Sequence, residues 1–406
     1  MSNYLPVEII EEILVRQPAK SLMRFRSVCK TWYSLISNSR FATAHLARSN
    51  QRPSPYFLFD QRGCRGNLRF SLHGNPAIDS SDFPEFHTPY EDRYANFKIV
   101  GSVNGLICLV ANSGNFILWN PSINRYVKLP DLRRTLYICC HGFGYHAPTN
   151  EYKVVRIRYP EGGEDTPLVA EIYSFNNGEC RLLTFSPSAP FILRPDTASV
   201  FMNGALHWLV NRKQNLRYNL IMSSNLGDET VFYEVPVPKV LEIENYQIIQ
   251  YYSSIVGKNI AMLNGLLALH GGVRSPQLAK KHDVWVMKEY GVVESWTKLY
   301  VINMSERLGR VIGFKKERWG RVIGFKKNGE VLVTFPDRYP SCKNDLSLYE
   351  PYSQRKIWNL QINTGCFYLD NYVESLVLLD VKRARVIIKR SRKNQNKKNM
   401  KVARIP

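Results

Sequence analysis

Four times the dipeptide Asn-Gly opens an apolar run. Asn104-Gly105 precedes Leu-Ile-Cys-Leu-Val, Asn203-Gly204 precedes Ala-Leu-His-Trp-Leu-Val, Asn264-Gly265 precedes Leu-Leu-Ala-Leu, and Asn328-Gly329 precedes Glu-Val-Leu-Val. A two-residue hairpin turn needs positive φ at both central residues, which Asn tolerates and Gly adopts freely. A chain punctuated this way folds into antiparallel hairpins. A second hairpin type alternates with the first, starting at Ile117, Glu171, Asn219, Val284 and Ser347, at intervals of 54, 48, 65 and 63 residues. A further hairpin fits Tyr56 to Leu72. Six such units across residues 54–380 predict a propeller of about six blades, each a small sheet whose edges are hidden by radial packing. A pair of β-sandwiches is the alternative.

The first 46 residues have a different texture. Leu5-Pro6 opens a helix, with Glu8, Glu11 and Glu12 at its positive end and Ile9, Ile10, Ile13 and Leu14 along one side. Pro18 is expected to end it. A second helix fits Lys20 to Cys29, burying Leu22, Met23, Phe25 and Val28, and a third fits Lys30 to Ile36, burying Trp32, Leu35 and Ile36. Phe41 to Leu46 adds a short fourth turn. So small a unit needs a partner or the β-rich body to complete its core. The organisation expected is α+β multidomain: an all-α head at 1–46, a linker at 47–53, an all-β propeller-like body at 54–381 and a basic tail at 382–406.

The head, from Leu5-Pro6 through Pro18-Ala-Lys20-Ser21-Leu22 and Arg24-Phe25-Arg26-Ser27-Val28-Cys29-Lys30-Thr-Trp32 to Phe41, resembles the F-box motif. Gln17 departs from it, standing where the family usually has an apolar residue. The body resembles the F-box-associated interaction domain of plant F-box/kelch-repeat proteins. The residues that carry this are Asn104-Gly105-Leu106, Leu118-Trp119-Asn120-Pro121, Gly142-Phe143-Gly144-Tyr145, Tyr152-Lys153-Val154-Val155, Asn203-Gly204-Ala205-Leu206-His207-Trp208, Val284-Trp285-Val286-Met287-Lys288-Glu289-Tyr290-Gly291, Glu294-Ser295-Trp296-Thr297-Lys298 and Tyr372-Val373-Glu374-Ser375-Leu376. The kelch double glycine is poorly kept, with Gly271-Gly272 as one candidate.

These resemblances imply the target-recognition subunit of a Skp–cullin–F-box ubiquitin ligase. The head would dock on the Skp adaptor, and through it a cullin, while the body binds a target protein. Leu5, Pro6, Ile9, Ile13, Leu14, Pro18 and Leu22 are the expected adaptor contacts, with Val28, Cys29 and Trp32 holding the head together. Two alternatives stand beside this reading: an F-box scaffold acting outside the ligase, and a basic propeller that binds nucleic acid.

Catalytic, cofactor and metal signatures are weak. Gly142-Phe-Gly144-Tyr-His-Ala147 fits G-x-G-x-x-A, but Pro148-Thr149-Asn150 follows where a dinucleotide site needs a helix, so the glycines are expected in a tight turn. Cys139 and Cys140 are neighbours on a strand and so point to opposite faces, which makes them core thiols rather than metal ligands. His207 is expected to be a packed residue, and His270-Gly271-Gly272 lacks an accompanying nucleophile elbow. No cofactor and no intrinsic active site is read.

The longest apolar run, Leu106 to Ala111, is far short of the roughly 20 residues of a membrane helix. Acids in the first dozen residues argue against an export signal, and eight cysteines without a spaced framework read as reduced thiols of a cytosolic or nuclear protein. The net charge is +21, but about half the excess lies after Lys382, as a solvated tail rather than a nucleic-acid face. Finally, Glu306 to Lys316 is repeated as Glu317 to Lys327, differing only at Leu308 and Trp319. Eleven residues inserted within one strand would reverse its faces, so one copy must leave the sheet. The second copy runs into Asn328-Gly329 and is assigned the native strand, leaving the first without a function of its own.

Overall fold

Pro6 and Pro18 share an extended conformation (φ −54°, ψ 146° and φ −59°, ψ 146°), and each stands at the N-cap of a helix. Helix α1 spans Val7–Leu14, α2 Ala19–Phe25, α3 Lys30–Ile36 and α4 Ser39–Gln51. Pro18 therefore opens α2 rather than closing α1, which has already ended at Leu14. The Cys29 sulfur accepts the Trp32 N–H at 3.4 Å and caps α3. α4 is longer than the single turn expected and runs through most of 47–53, the segment read as a linker. His45, buried in its middle, donates from Nε2 to the Gln17 carbonyl at 3.0 Å and ties it to the α1–α2 connection.

The computed structural model describes residues 5–51, 56–62, 68–73, 85–87, 97–111, 114–129, 139–160, 167–186, 191–194, 198–213, 219–229, 232–235, 237, 259–272, 281–303, 305–311, 314–319, 321–326, 328–336, 344–362, 369–377, 400–401 and 403–404. After the helices these form six sheets of four or more strands and one separate ribbon, in a propeller arrangement. Blade one combines Tyr56–Arg62, Leu68–His73 and Glu85–His87 with Leu369–Tyr372, so strands from the two ends of the body share one sheet. Blade two is Phe97–Val103, Leu106–Ala111, Phe116–Asn120 and Arg125–Lys128. Blade three is Cys139–His146, Glu151–Arg158, Leu168–Ser174 and Glu179–Ser186. Blade four runs from Val200–Met202 through Ala205–Arg212 and Asn219–Asn225 to Phe232–Val235, with Phe191–Ile192 beside its second strand. Blade five is Asn259–Leu263, Leu266–Gly272, Lys281–Met287 and Trp296–Asn303. Blade six is Arg321–Phe325, Val331–Pro336, Asn344–Glu350 and Arg355–Ile362.

The strands Leu369–Tyr372, Phe97–Val103, Cys139–His146, Val200–Met202, Asn259–Leu263 and Arg321–Phe325 adjoin one another in that order and return to the first, which closes the ring. The apolar core lies between blades. One cluster joins blade three (Val155, Ile172) to blade four (Leu206, Trp208), and another joins blade two (Leu106, Leu118) to blade three (Val154, Tyr173).

Three Asn-Gly pairs are two-residue turns with both φ positive: 52° and 77° at Asn104-Gly105, 52° and 73° at Asn203-Gly204, 51° and 78° at Asn264-Gly265. The fourth is not. Its strands stop at Phe325 and Val331, the loop is closed by the Lys326 N–H on the Glu330 carbonyl at 2.8 Å, and Gly329 alone of this pair takes positive φ.

Gly142 and Gly144 lie inside the strand Cys139–His146 and not in a turn. A Cβ on Gly142 would stand 2.7 Å from the Trp208 ring, and one on Gly144 2.6 Å from Leu226 and Phe201. Their use is close approach of blade four, and the turn belongs to the residues after His146.

The duplication resolves in part as expected. Among the described residues, Ser305–Val311 and Phe314–Trp319 pair with each other as an antiparallel ribbon that also takes in Glu317 to Trp319 of the second copy, while Arg321–Phe325 of that copy is the first strand of blade six. In the tail, Met400–Lys401 pairs in parallel with Glu179–Ser186 and Ala403–Arg404 with Phe232–Val235, where a solvated segment was expected. The strand anticipated at Val386 to Ile388 lies outside the described residues.

Candidate docking site on the helical head

α1 is apolar on two sides, and the fold covers one of them. Ile10 and Leu14, four residues apart, turn inward with Val15 into a core shared with Ala19, Leu22, Ile36 and Phe41. Ile9 and Ile13, also four apart, form the other stripe and are 48% and 47% exposed, with Leu5 before them at 58% and Val7 at 47%. Pro6 and Pro18 are exposed as well. The expected adaptor contacts thus divide. Leu5, Pro6, Ile9, Ile13 and Pro18 are presented to solvent, whereas Leu14 and Leu22, at 2% and 0% exposure, are core residues that no partner reaches in this conformation. Val28, read as a core residue, is 62% exposed because α2 ends at Phe25 and the chain turns outward before α3. Trp32 packs edge-on against Phe25 (5.6 Å, 69°), and the Arg26 guanidinium lies 4.6 Å from the Tyr33 ring centre while donating to Ser37 Oγ at 2.8 Å.

The head does not complete its core alone. Ile123, in the turn between the third and fourth strands of blade two, and Leu376, just after the ring-closing strand, fill the remaining side of the cluster. Pro18 brings no side-chain acceptor to the start of α2, and the body supplies one: Glu374 Oε2 accepts the Ala19 N–H at 3.2 Å.

The segment that carries Glu374 and Leu376 is itself pinned. Asn120, fully buried, directs Nδ2 at the Ser375 carbonyl (3.0 Å), Ser375 Oγ (3.1 Å) and the Val377 carbonyl (2.9 Å). Its Oδ1 accepts from the Ser122 N–H at 3.0 Å and from Tyr372 O–H at 3.3 Å. Gly105 completes the clasp, since a Cβ there would fall 2.5 Å from the Val373 carbonyl and from Ser375 Oγ. Sequence reasoning had marked Leu118-Trp-Asn120-Pro and Tyr372 to Leu376 by resemblance but not their shared purpose, which joins positions some 250 residues apart. The one local signal was a buried-strand Asn directly before Pro.

Polar groups elsewhere in the body are spent on packing. His207 donates from Nδ1 to the Val200 carbonyl (3.1 Å) and accepts at Nε2 from Tyr290 O–H (2.6 Å), joining blades four and five. Burial lowers its pKa to about 4. Cys140 is in the core and Cys139 half-buried on the other side of the same strand. No helix among the described residues is long and apolar enough to cross a membrane.

Known proteins agree with this architecture. An F-box domain matches residues 3–43, and an F-box associated beta propeller domain matches residues 67–379. An F-box/kelch-repeat protein of Arabidopsis thaliana is 29% identical over 309 residues, covering 73% of this chain and 79% of its own. F-box protein CPR1 of the same plant is 27% identical over 326 residues, covering 73% of each. Among solved structures the Dos1 propeller aligns with 74% of this chain and 69% of its own at 10% identity and a TM-score of 0.34, too distant to bear on the blade count. A helical head that borrows its core from a closed ring of sheets, with both parts matched in order, places the chain in the family of F-box proteins with an F-box associated beta propeller domain.

Proposed function

We propose that this protein is the target-receptor subunit of a Skp–cullin–F-box ubiquitin ligase, holding an adaptor on its head and a target protein on its propeller. The observation that carries the reading is the uncovered stripe Leu5, Ile9 and Ile13 on a head that is otherwise fastened to the body. Apolar side chains half in water on one side of a two-sided helix are what a partner-dependent interface requires. Leu5, Pro6, Val7, Ile9 and Ile13 are the contacts assigned to a Skp-type adaptor, with Pro18 at the margin. Leu14 and Leu22 support that surface from beneath.

The protein contributes position rather than bond-making. A conjugating enzyme brought by the other subunits meets a target whose lysines are held nearby, and the gain is effective concentration. The clasp of Asn120, Ser375 and Glu374 suits this role, since a head that swung freely would scatter the target relative to the enzyme. Residence in the cytoplasm or nucleus goes with it, and the basic tail is a candidate import address.

Co-purification from plant cells tests the proposal. The full chain should bring down a Skp adaptor and a cullin. Ile9→Ala with Ile13→Ala should abolish both, since truncating a central anchor costs ~2 kcal/mol or more, while circular dichroism and melting stay unchanged. A well-folded wild-type chain that captures no adaptor would refute the ligase role and favour the scaffold reading.

A further inference from the structure

Residues 310–316 and 321–327 have the same sequence, Arg-Val-Ile-Gly-Phe-Lys-Lys, and only the second set enters blade six. There Arg321–Phe325 is the first strand and pairs with Val331–Pro336, Val322 opposite Val333 and Phe325 opposite Val331. Val322 and Phe325 are buried in a cluster with Val331, Val333 and Tyr349, and Phe325 meets the His270 ring of blade five edge-on (5.1 Å, 85°). Each of these contacts is made by a residue that the first copy repeats eleven positions earlier. The bulge between Val322 and Gly324 is repeatable as well, since Gly313 is the counterpart of Gly324. The slot beside Val331–Pro336 therefore cannot distinguish 310–314 from 321–325 by their side chains.

Chain length does not distinguish them either. As the fold stands, 17 residues (304–320) join blade five to this strand, and five (326–330) join the strand to Val331–Pro336. With the first copy in the slot, these connections become six residues (304–309) and 16 residues (315–330). Closure cost grows only with the logarithm of loop length, so the two pairs of lengths differ by a factor of ~1.2. Six residues are enough, because blade six reaches Leu369–Tyr372 of blade one across 363–368. What favours the present register is local. The Lys326 N–H donates to the Glu330 carbonyl (2.8 Å), the Gly329 N–H donates to the Lys326 carbonyl (3.0 Å), and Lys326 Nζ pairs with Glu330 Oε2 (2.5 Å). The ribbon adds its own ladder. Exchange gives up these contacts and keeps the blade.

We propose that blade six has two registers eleven residues apart, the second copy filling the slot in the major form and the first copy filling it in a minor form. The exchange carries the extra eleven residues from one face of the propeller to the other. Ile123, in the head's core, comes from a third-to-fourth turn, and in an antiparallel blade such turns share a face with the first-to-second turns. Connections between blades lie on the opposite face. The insertion thus leaves the face away from the head, as part of 304–320, and enters the head's own face, as part of 315–330. A partner that contacts the insertion on one face stabilises that register alone, which makes the duplication a loop switched between faces. This inference rests on the strand pairing and not on the receptor reading.

Disulfide trapping in the full chain is the test, since opposite residues of antiparallel strands lie within disulfide reach. Val322→Cys with Val333→Cys reports the major register, and Val311→Cys with Val333→Cys the minor one. Ser305→Cys with Val333→Cys, opposite in neither register, reports general opening of the blade. Peptide mass spectrometry assigns each link apart from the native cysteines. The 311–333 link should form on the order of ten- to a thousandfold more slowly than 322–333, as for a state populated at ~0.1–10%, yet faster than 305–333. Gly329→Ala strains the turn of the major form, where Gly329 has φ +88°, and should speed 311–333 roughly five- to thirtyfold without speeding 305–333. A 311–333 link no faster than 305–333, or one indifferent to Gly329→Ala, would overturn the exchange. Thermal melting gives a second reading without new cysteines. Val311→Asp with Val322→Asp should lose far more than the two single changes together, because each single variant keeps one intact copy; additive losses would equally overturn the proposal.

Discussion

Leu376→Ala tests whether the head depends on the body, because the residue belongs to the ring-closing segment yet packs among helices that precede it by some 350 residues. Its side chain is 1% exposed, against Ile123, Leu14, Ala19 and Leu22 among others in one cluster. Removing three buried carbons at about 0.8 kcal/mol each gives ~2.4 kcal/mol. The cavity left behind raises this toward 3–4, within the roughly 2–5 kcal/mol seen for buried Leu→Ala changes. The blades have their own inter-blade clusters and do not share this loss, so the effect should be local. Native-state hydrogen exchange read peptide by peptide is the assay. Protection across α2 to α4 should fall on the order of a hundredfold, the equivalent of ~3 kcal/mol, while blades three and four are unchanged. Leu182→Ala, at a site 61% exposed, is the control and should alter neither. If exchange rises equally in head and blades, head and body are one cooperative unit. If the head does not respond at all, the borrowed-core argument is wrong.

Gly105→Ala and Gly204→Ala both force an L residue into a left-handed turn, at about 1–2 kcal/mol, but only Gly105 also meets a backbone carbonyl at 2.5 Å, whereas nothing lies within 4 Å of a Cβ on Gly204. Thermal melts should therefore rank Gly105→Ala clearly below Gly204→Ala, and equal melting temperatures would contradict the clasp. His207 has a folded pKa of about 4 against an ordinary 6.5, so the unfolded chain binds the extra proton first. Its contribution is whole above pH 6.5 and is lost as pH falls toward 4, on the order of 3 kcal/mol in all; His207→Gln should flatten that part of the acid limb in a melting-temperature series. Val322, 2% exposed in blade six, and Val311, in the ribbon, are equivalent positions of the two copies. Val322→Asp should destabilise clearly, by burying a charge or forcing the minor register, and Val311→Asp little, so matching losses would mean that the second copy does not hold the blade. Single-copy deletions cannot decide this point, because the two products differ only by Leu308 or Trp319.

The hairpins were legible from the sequence because their determinants are local. Positive φ at Asn104-Gly105, Asn203-Gly204 and Asn264-Gly265 is a matter of backbone sterics within two residues, and strand alternation has a fixed period. The duplicated segment was legible by parity alone, since an odd insertion cannot stay in a strand with one buried side. The head was legible as helices, but a helix with apolar residues at 9, 10, 13 and 14 has two candidate stripes, and no periodicity says which one a neighbour will cover. That was decided by Ile123 and Leu376, and it moved Leu14 and Leu22 from the expected docking surface into the core. Gly142 and Gly144 looked like turn glycines because their motif is defined by spacing, whereas their reason is the approach of Trp208, Phe201 and Leu226 from the next blade. Closure of the ring through Leu369–Tyr372, and the clasp that follows it, joins residues separated by most of the chain. Such contacts are selected by the shape and polarity of whole surfaces once the blades have packed, so they leave no local pattern to read.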